Sequence, residues 1–333
     1  MKPLHTDGLF DLQVNGYAGV DFNDPAIDAA ALDHALQAMR HAGVTGCLPT
    51  IITAHRHELA ERFAALDAAV RGSRLAAAMV PGYHLEGPFL NPADGYRGCH
   101  PAAAMTDPDI ALVDSLDAAL SRPILLVTFA PERAGATAFA QALAARGKAM
   151  AIAHSAANFD EVSAVADAGV SLSTHLGNGL PQMLPKLANT LLAQLAEPRL
   201  AACFIADGHH IPPPALAALV ALKGVDRSIL VTDAVLAAAA PPGRYRFAGM
   251  DVEHTAAGAV VQPGASNLAG SALTLDQAVR NVVAWGIADP ATAIAMASRH
   301  ARAALARPLA HHAITLSPGR VAWNDALEPS PAA

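Results

Sequence analysis

Short β-type runs alternate with longer Ala/Leu-rich stretches along most of this chain, and that rhythm limits the fold more than any other feature. The runs are Leu9–Val14, Val44–Ile52, Ala77–Leu85, Ile124–Phe129, Ala149–Ala153, Val170–Thr174, Ala201–Ala206 and Ile229–Thr232. Helical periodicity fills the gaps at Ile27–His41, His55–Val70, Ala134–Ala145, Asp160–Ala168 and Pro214–Leu222. Asp160 and the following Gly169 supply start and stop signals for one of these helices. Strand then helix, repeated eight times, predicts βα units feeding a parallel sheet. Eight units favour an α/β fold closed as a (β/α)8 TIM barrel over an open doubly wound sheet. A length of 333 residues suggests about two domains at roughly 150 residues each, but α/β barrels hold about 250 residues or more as one unit. No low-complexity linker marks a second domain, so the expectation is a barrel over 1–310 and a short C-terminal tail over 311–333.

Two segments interrupt the rhythm. Residues 86–106 hold three Gly and three Pro and read as a long loop after the third run. Residues 234–270 follow the eighth run and leave room for a hairpin near Arg244–Val261. Long loops on one face are where a barrel keeps its chemistry. Two helical stretches are expected after Ser271, and the polar, Pro-rich end of the chain reads as frayed.

Composition narrows the function. A net charge of −7 with scattered Lys and Arg gives no basic stripe for nucleic acid. No apolar run reaches the ~18–20 residues of a membrane span, and the start lacks a secretory signal pattern, so a cytoplasmic location is expected. Cys47, Cys99 and Cys203 are too far apart for a CxxC metal knot, and Cys47 reads as a small core hydrophobe. GxxxxGK[ST], GxGxxG and GxSxG are absent, which disfavours NTPases, dinucleotide enzymes and serine hydrolases. The 15 histidines, against 4 tyrosines and 2 tryptophans, instead direct attention to metal ligands.

Position sorts them. Gln13 and Asn15 end the first run, His84 and Glu86 the third, His154 the fifth and His175 the sixth. Asp207 and His210 end the seventh, and Asp233 the eighth. In a parallel barrel these carboxyl ends converge on one mouth, where buried polar groups serve chemistry rather than packing. Glu86, His154 and His175 make a set of two imidazoles and one carboxylate that leaves a coordination position for water, which suits catalytic zinc; Fe, Co and Mn are accepted too. Asp233, in ILVTDA, reads either as the carboxylate that takes a proton from activated water or as a helix cap. Asn178 and Gly179 offer N–H groups to an anion or simply make a turn. His100 either reaches over the mouth or caps a loop, and Lys186 is either a solvated side chain or the one cation beside that turn.

These residues carry a resemblance. DLQVNGYAGVDFND, HLEGPFLNP with GCHP, AHSAA, STHLGNG, FIADGHH, ILVTDA and NLAGSALTLDQAV resemble, in order, the motifs of N-acetylglucosamine-6-phosphate deacetylases of the amidohydrolase superfamily. The similarity runs from about residue 8 to about residue 305. It implies a metal-dependent amidohydrolase acting on a linear amide, the acetamide of an amino-sugar phosphate, and a homodimer. By the same resemblance Glu86, His154 and His175 bind one divalent metal, and Asp233 is the general base and then the acid. His210 binds substrate, His100 contacts the sugar or acyl group, and Asn178 and Gly179 lie beside the phosphate. Gln13 and Asn15 stand where many amidohydrolases carry HxH, which leaves the second-metal position without ligands.

Three departures bear on substrate. The first strand begins so early that the family's small β-sandwich should be absent or vestigial. THLGNGLP replaces the usual wording, and no Arg follows it, which leaves Lys186 or nothing for the phosphate. An unphosphorylated or different N-acyl amino sugar is therefore the alternative substrate class, and a catalytically silent sugar-phosphate-binding barrel a third reading.

Overall fold

The computed structural model describes residues 4–264 and 267–332. Eight parallel strands follow chain order around a barrel: Leu9–Val14, Val44–Ile52, Tyr83–Glu86, Ile124–Phe129, Ala149–Ile152, Leu172–Ser173, Ala201–Phe204 and Ser228–Leu230. We number these barrel strands one to eight. Helices cover the outside, so the strands are buried on both faces. LFDLQV of strand one is buried at every position. Fully burying one such leucine contributes about 1.5–3 kcal/mol, which is how the apolar positions hold these strands in place. Strands one and eight share no ladder. Their seam is bridged just beyond the strand ends, by Val14 against Ala234 and by the Asp233 N–H donating to Gln13 O at 3.0 Å.

Strands one, two and four have the bounds expected from sequence. The third run does not. It splits into a helical turn, Ala76–Met79, and strand three, Tyr83–Glu86. Alanines favour helix and Pro81-Gly82 breaks the chain between the two. The helix expected from Asp160 is Phe159–Asp167, capped by Asn158, whose side chain accepts from Glu161 N while Glu161 bonds back to the Asn158 N–H. Helices also fill the gaps at Ile110–Asp117, capped by Asp109, and at Thr190–Ala196, capped by Asn189. After Ser271 four helices form rather than two: Leu275–Ala284, Pro290–Met296, Arg299–Ala304 and Ala306–His311.

Beside a two-stranded ribbon of Gly16–Tyr17 and Val20–Asp21, two larger antiparallel sheets accompany the barrel. Near the mouth, the expected hairpin is a four-stranded sheet of Gly243–Phe247, Met250–His254, Ala259–Val261 and Leu268–Ser271. Its apolar side forms a cluster separate from the main core, with Phe247, Val252, Val260 and Ala269 packed against Val235, Leu236, Ala237 and Ile52. The second sheet corrects the reading of a frayed end. Arg320–Trp323 pairs with Leu4–Asp7 on one side and Pro329–Pro331 on the other, so a small β unit of three strands is present. Trp323 is buried there and donates Nε1–H to Thr6 Oγ1 at 2.9 Å.

Candidate active site

The strand ends bring the expected residues to one mouth. Glu86 is the last residue of strand three, and His154, His175 and Asp233 follow strands five, six and eight within three residues. His154, His175 and Asp233 all have positive φ, at 48°, 31° and 49°. Such backbone costs about 1–3 kcal/mol per residue outside glycine and collects where a side chain must be aimed. No helix starts at Asp233, so the capping alternative is not what this residue does.

Glu86 lies at the centre. Its Oε1 is 2.8 Å from His175 Nε2 and 3.7 Å from His154 Nε2. One ligand atom from each of the three falls within 4.8 Å of the others, and all three residues are buried. His154 Nδ1–H donates to Tyr96 O at 2.6 Å, which fixes the tautomer and leaves the Nε2 lone pair facing Glu86. Burial first, then the neighbouring His175 charge, depresses the His154 imidazole to about 4. Burial likewise lowers His175. Both rings are therefore neutral and able to ligate. One carboxylate beside two neutral imidazoles is a buried, uncompensated negative charge, and a divalent cation fits that donor set.

Gln13 and Asn15, at the end of strand one, meet Asp233 across the barrel seam. Gln13 Nε2 and Asn15 Nδ2 both donate to Asp233 Oδ1, at 3.1 and 2.7 Å. The two amides thus hold Asp233 Oδ1, and among the described residues no hydrogen bond engages Oδ2. Burial, then the charge of Glu86, raises the Asp233 carboxyl to about 6, against the opposing pull of His175, His210 and Asn15.

The other expected residues divide. His210 lines the cavity and its Nδ1 pairs with Asp207 Oδ2 at 2.6 Å. Burial alone would raise Asp207, but the His210 contact and the N–H groups of His209 and His210 outweigh it and hold the carboxyl below its ordinary value. His100 reaches over the mouth: its ring packs edge-on against His154 at 4.5 Å, Nδ1 pairs with Thr53 Oγ1 at 2.9 Å, and Nε2 is 4.0 Å from Glu86 Oε2. Gly179 and Asn178 line the cavity too. A Cβ on Gly179 would come within 2.4 Å of His154 Nδ1, so this glycine, at φ +60°, lets the loop lie directly on the His154 ring. Asn178 spends its backbone N–H and its side-chain Nδ2 on His175 O, both at 3.0 Å. Lys186 is exposed and outside the lining. His84 is buried below the mouth between Thr50 and Thr128. Sequence reasoning missed Phe247, Gln182, Asn267 and Leu268, which complete a cavity of about 260 Å³.

This geometry can be set beside known proteins. No family model matches the chain. A curated N-acetylgalactosamine-6-phosphate deacetylase of Escherichia coli O157:H7 is 36% identical over 293 residues, covering 87% of this chain and 75% of its own. An N-acetylglucosamine-6-phosphate deacetylase of Lysinibacillus sphaericus is 32% identical over 281 residues, covering 83% and 69%. The chain belongs to the N-acetylglucosamine-6-phosphate deacetylase family. The crystal structure of the Mycobacterium smegmatis deacetylase superposes with a TM-score of 0.87 at 27% identity, covering 98% of this chain and 85% of that one. An aspartate-to-alanine variant of the same enzyme, solved with N-acetyl-D-glucosamine-6-phosphate, gives 0.84 at 26%, covering 98% and 84%. Within this deacetylase frame the chain has its own substrate side. Among the described residues no Lys or Arg lines the cavity, although the deacetylases it resembles are named for phosphorylated sugars. Among the described residues, too, no helix is long and apolar enough to cross a membrane.

Proposed function

We propose that this chain hydrolyses the acetamide of N-acetylglucosamine 6-phosphate to glucosamine 6-phosphate and acetate. The observation that carries the reading is the buried Glu86, His154 and His175 set facing the Asp233 carboxylate across one cavity. A divalent cation held by those three residues, Zn first by the chemistry of the donors and Fe, Co or Mn as alternatives, supplies acidification of water. Asp233 accepts the proton of the attacking water on Oδ2 while Gln13 and Asn15 hold Oδ1. As the carbon–nitrogen bond breaks, Asp233 returns that proton to the leaving nitrogen. His210, braced by Asp207, binds the sugar, and His100, held by Thr53, contacts the sugar or the acetyl group. Asn178 and Gly179 border the phosphate end. By the family resemblance we extend the proposal to a cytoplasmic homodimer.

Acetate release from N-acetylglucosamine and N-acetylgalactosamine, each with and without a 6-phosphate, tests the reading on cation-loaded protein. Faster turnover of N-acetylglucosamine 6-phosphate than of the other three supports it. Two further outcomes have observations behind them. The 36%-identical relative is named for the galacto sugar, so a preference for that epimer would move the substrate to it. The cavity lining without Lys or Arg favours the unphosphorylated sugars. No release from any of the four would leave a silent binding barrel.

A further inference from the structure

A buried carboxylate at the barrel seam has no part in the scheme above. Asp11 lies two residues before Gln13 in strand one, whose register with strand two is irregular between Asp11 and Val14. Asp11 is wholly buried. Its Oδ1 accepts the backbone N–H of Gln13 at 3.3 Å and of Thr232 at 3.2 Å, and its Oδ2 is 2.6 Å from Thr232 Oγ1. Thr232 immediately precedes Asp233. Its Oγ1 also accepts the Ala234 N–H at 3.0 Å and lies 3.3 Å from Gln13 O, while its carbonyl accepts from Ser271 Oγ at 2.6 Å. One carboxylate therefore ties the residue before Asp233 to the first strand, at the seam where strands one and eight lack a ladder.

We propose that Asp11 is a positioning residue for Asp233: by clamping Thr232 to strand one it holds Asp233 in the left-handed backbone conformation that turns its carboxylate onto Gln13 and Asn15. The proposal rests on the reading of Asp233 as the general base. Packing does not account for an aspartate here, because a buried carboxyl costs several kcal/mol that an apolar side chain would avoid. Burial pushes the Asp11 carboxyl up to about 7 in spite of the Thr232 and Gln13 hydrogen bonds that lower it. The clamp works in either protonation state. A proton on Oδ2 donates to Thr232 Oγ1, whose own hydrogen then turns to Gln13 O. Asparagine at position 11 reproduces that second pattern, with its amide oxygen for the two N–H groups and its amide nitrogen for Thr232 Oγ1.

The test compares Asp11→Ala and Asp11→Asn by kcat, KM, metal per chain and Tm, with Thr232→Val as the companion should Asp11→Ala not fold. Asp11→Ala is expected to lower kcat by about 10²-fold, the scale of a 1 Å misplacement, with KM and metal content near wild type. Asp11→Asn is expected to restore most of that kcat. Equal losses in the Ala and Asn variants, or a wild-type kcat in folded Asp11→Ala or Thr232→Val, would overturn the proposal. A crystal structure of Asp11→Ala or Thr232→Val reads the same point without turnover. The Asp233 carboxylate is expected to leave Asn15 by about 1 Å or more. A carboxylate still hydrogen-bonded to Asn15 overturns the clamp, whereas a wild-type protein inactive on every sugar overturns the deacetylase reading alone.

Discussion

The hydrolytic floor and the loop over residues 177–189 border the same cavity and are built in opposite ways. On the floor, Glu86, His154 and His175 are buried and Asp233 is partly buried, and each is held by a neighbour on another strand or loop. The loop departs from the cavity after Gln182. Met183 is 88% exposed and Leu187 73%, and Lys186 stands beside them in solvent. The floor shows how a rigid scaffold fixes a reaction. The loop beyond Gln182 is held less tightly by the scaffold.

The sharpest way to break this contrast is Asp233→Asn. It should keep the metal and lose about 10²–10⁴-fold in kcat, measured as acetate release. Near-normal turnover would mean that the floor does not do the proton transfer. Gly179→Ala probes the point where the loop lies against His154. Its Cβ must displace His154, and metal affinity, read by competition with a chelator, should fall about 10–100-fold. An unchanged affinity would separate the loop from the ligands altogether. The pH profile sharpens the floor further. A base must be deprotonated, and the Asp233 carboxyl is raised to about 6, so kcat/KM should be flat above that pH and fall on the acid side. A bound cation favours the carboxylate and moves the limb lower, never higher. A limb well above pH 7 would point to another base. Lys186→Ala has the smallest expected effect, within about 0.5 kcal/mol or roughly twofold in kcat/KM, as for an ordinary surface side chain. A tenfold rise in KM would show that the loop closes on the substrate.

The sequence made the floor legible because its residues sit at strand ends, and fully buried parallel strands read as unbroken apolar runs. Ile124–Phe129 comes close, with Thr128 its one polar residue, while Leu9–Val14 carries Asp11 and Gln13 among its apolar positions and is legible because its end places Gln13 at the mouth. Ala77–Leu85 misled because an alanine stretch is apolar in either secondary structure, and the helical turn won. The paired end of the chain was illegible for another reason. A Pro-rich segment has no strand signature of its own, and Arg320–Trp323 becomes a strand only against Leu4–Asp7, some 300 residues earlier. The amides that grip Asp233 show the same limit. Gln13 and Asn15 were legible as residues without imidazole, but their partner lies 220 and 218 positions away, so only the fold reveals that they hold a carboxylate.

The four-stranded sheet at the mouth keeps an apolar cluster of its own, joined to the barrel wall through Ile52. A unit with a separate small core opens independently of the larger one, so its amides should exchange with deuterium sooner than those of the barrel strands. Phe247 belongs to that cluster and also lines the cavity. Occupancy of the cavity should then slow exchange in Gly243–Phe247 and Met250–His254 while leaving Ile124–Phe129 unchanged. The sheet would report on bound sugar without any label placed at the reacting bond.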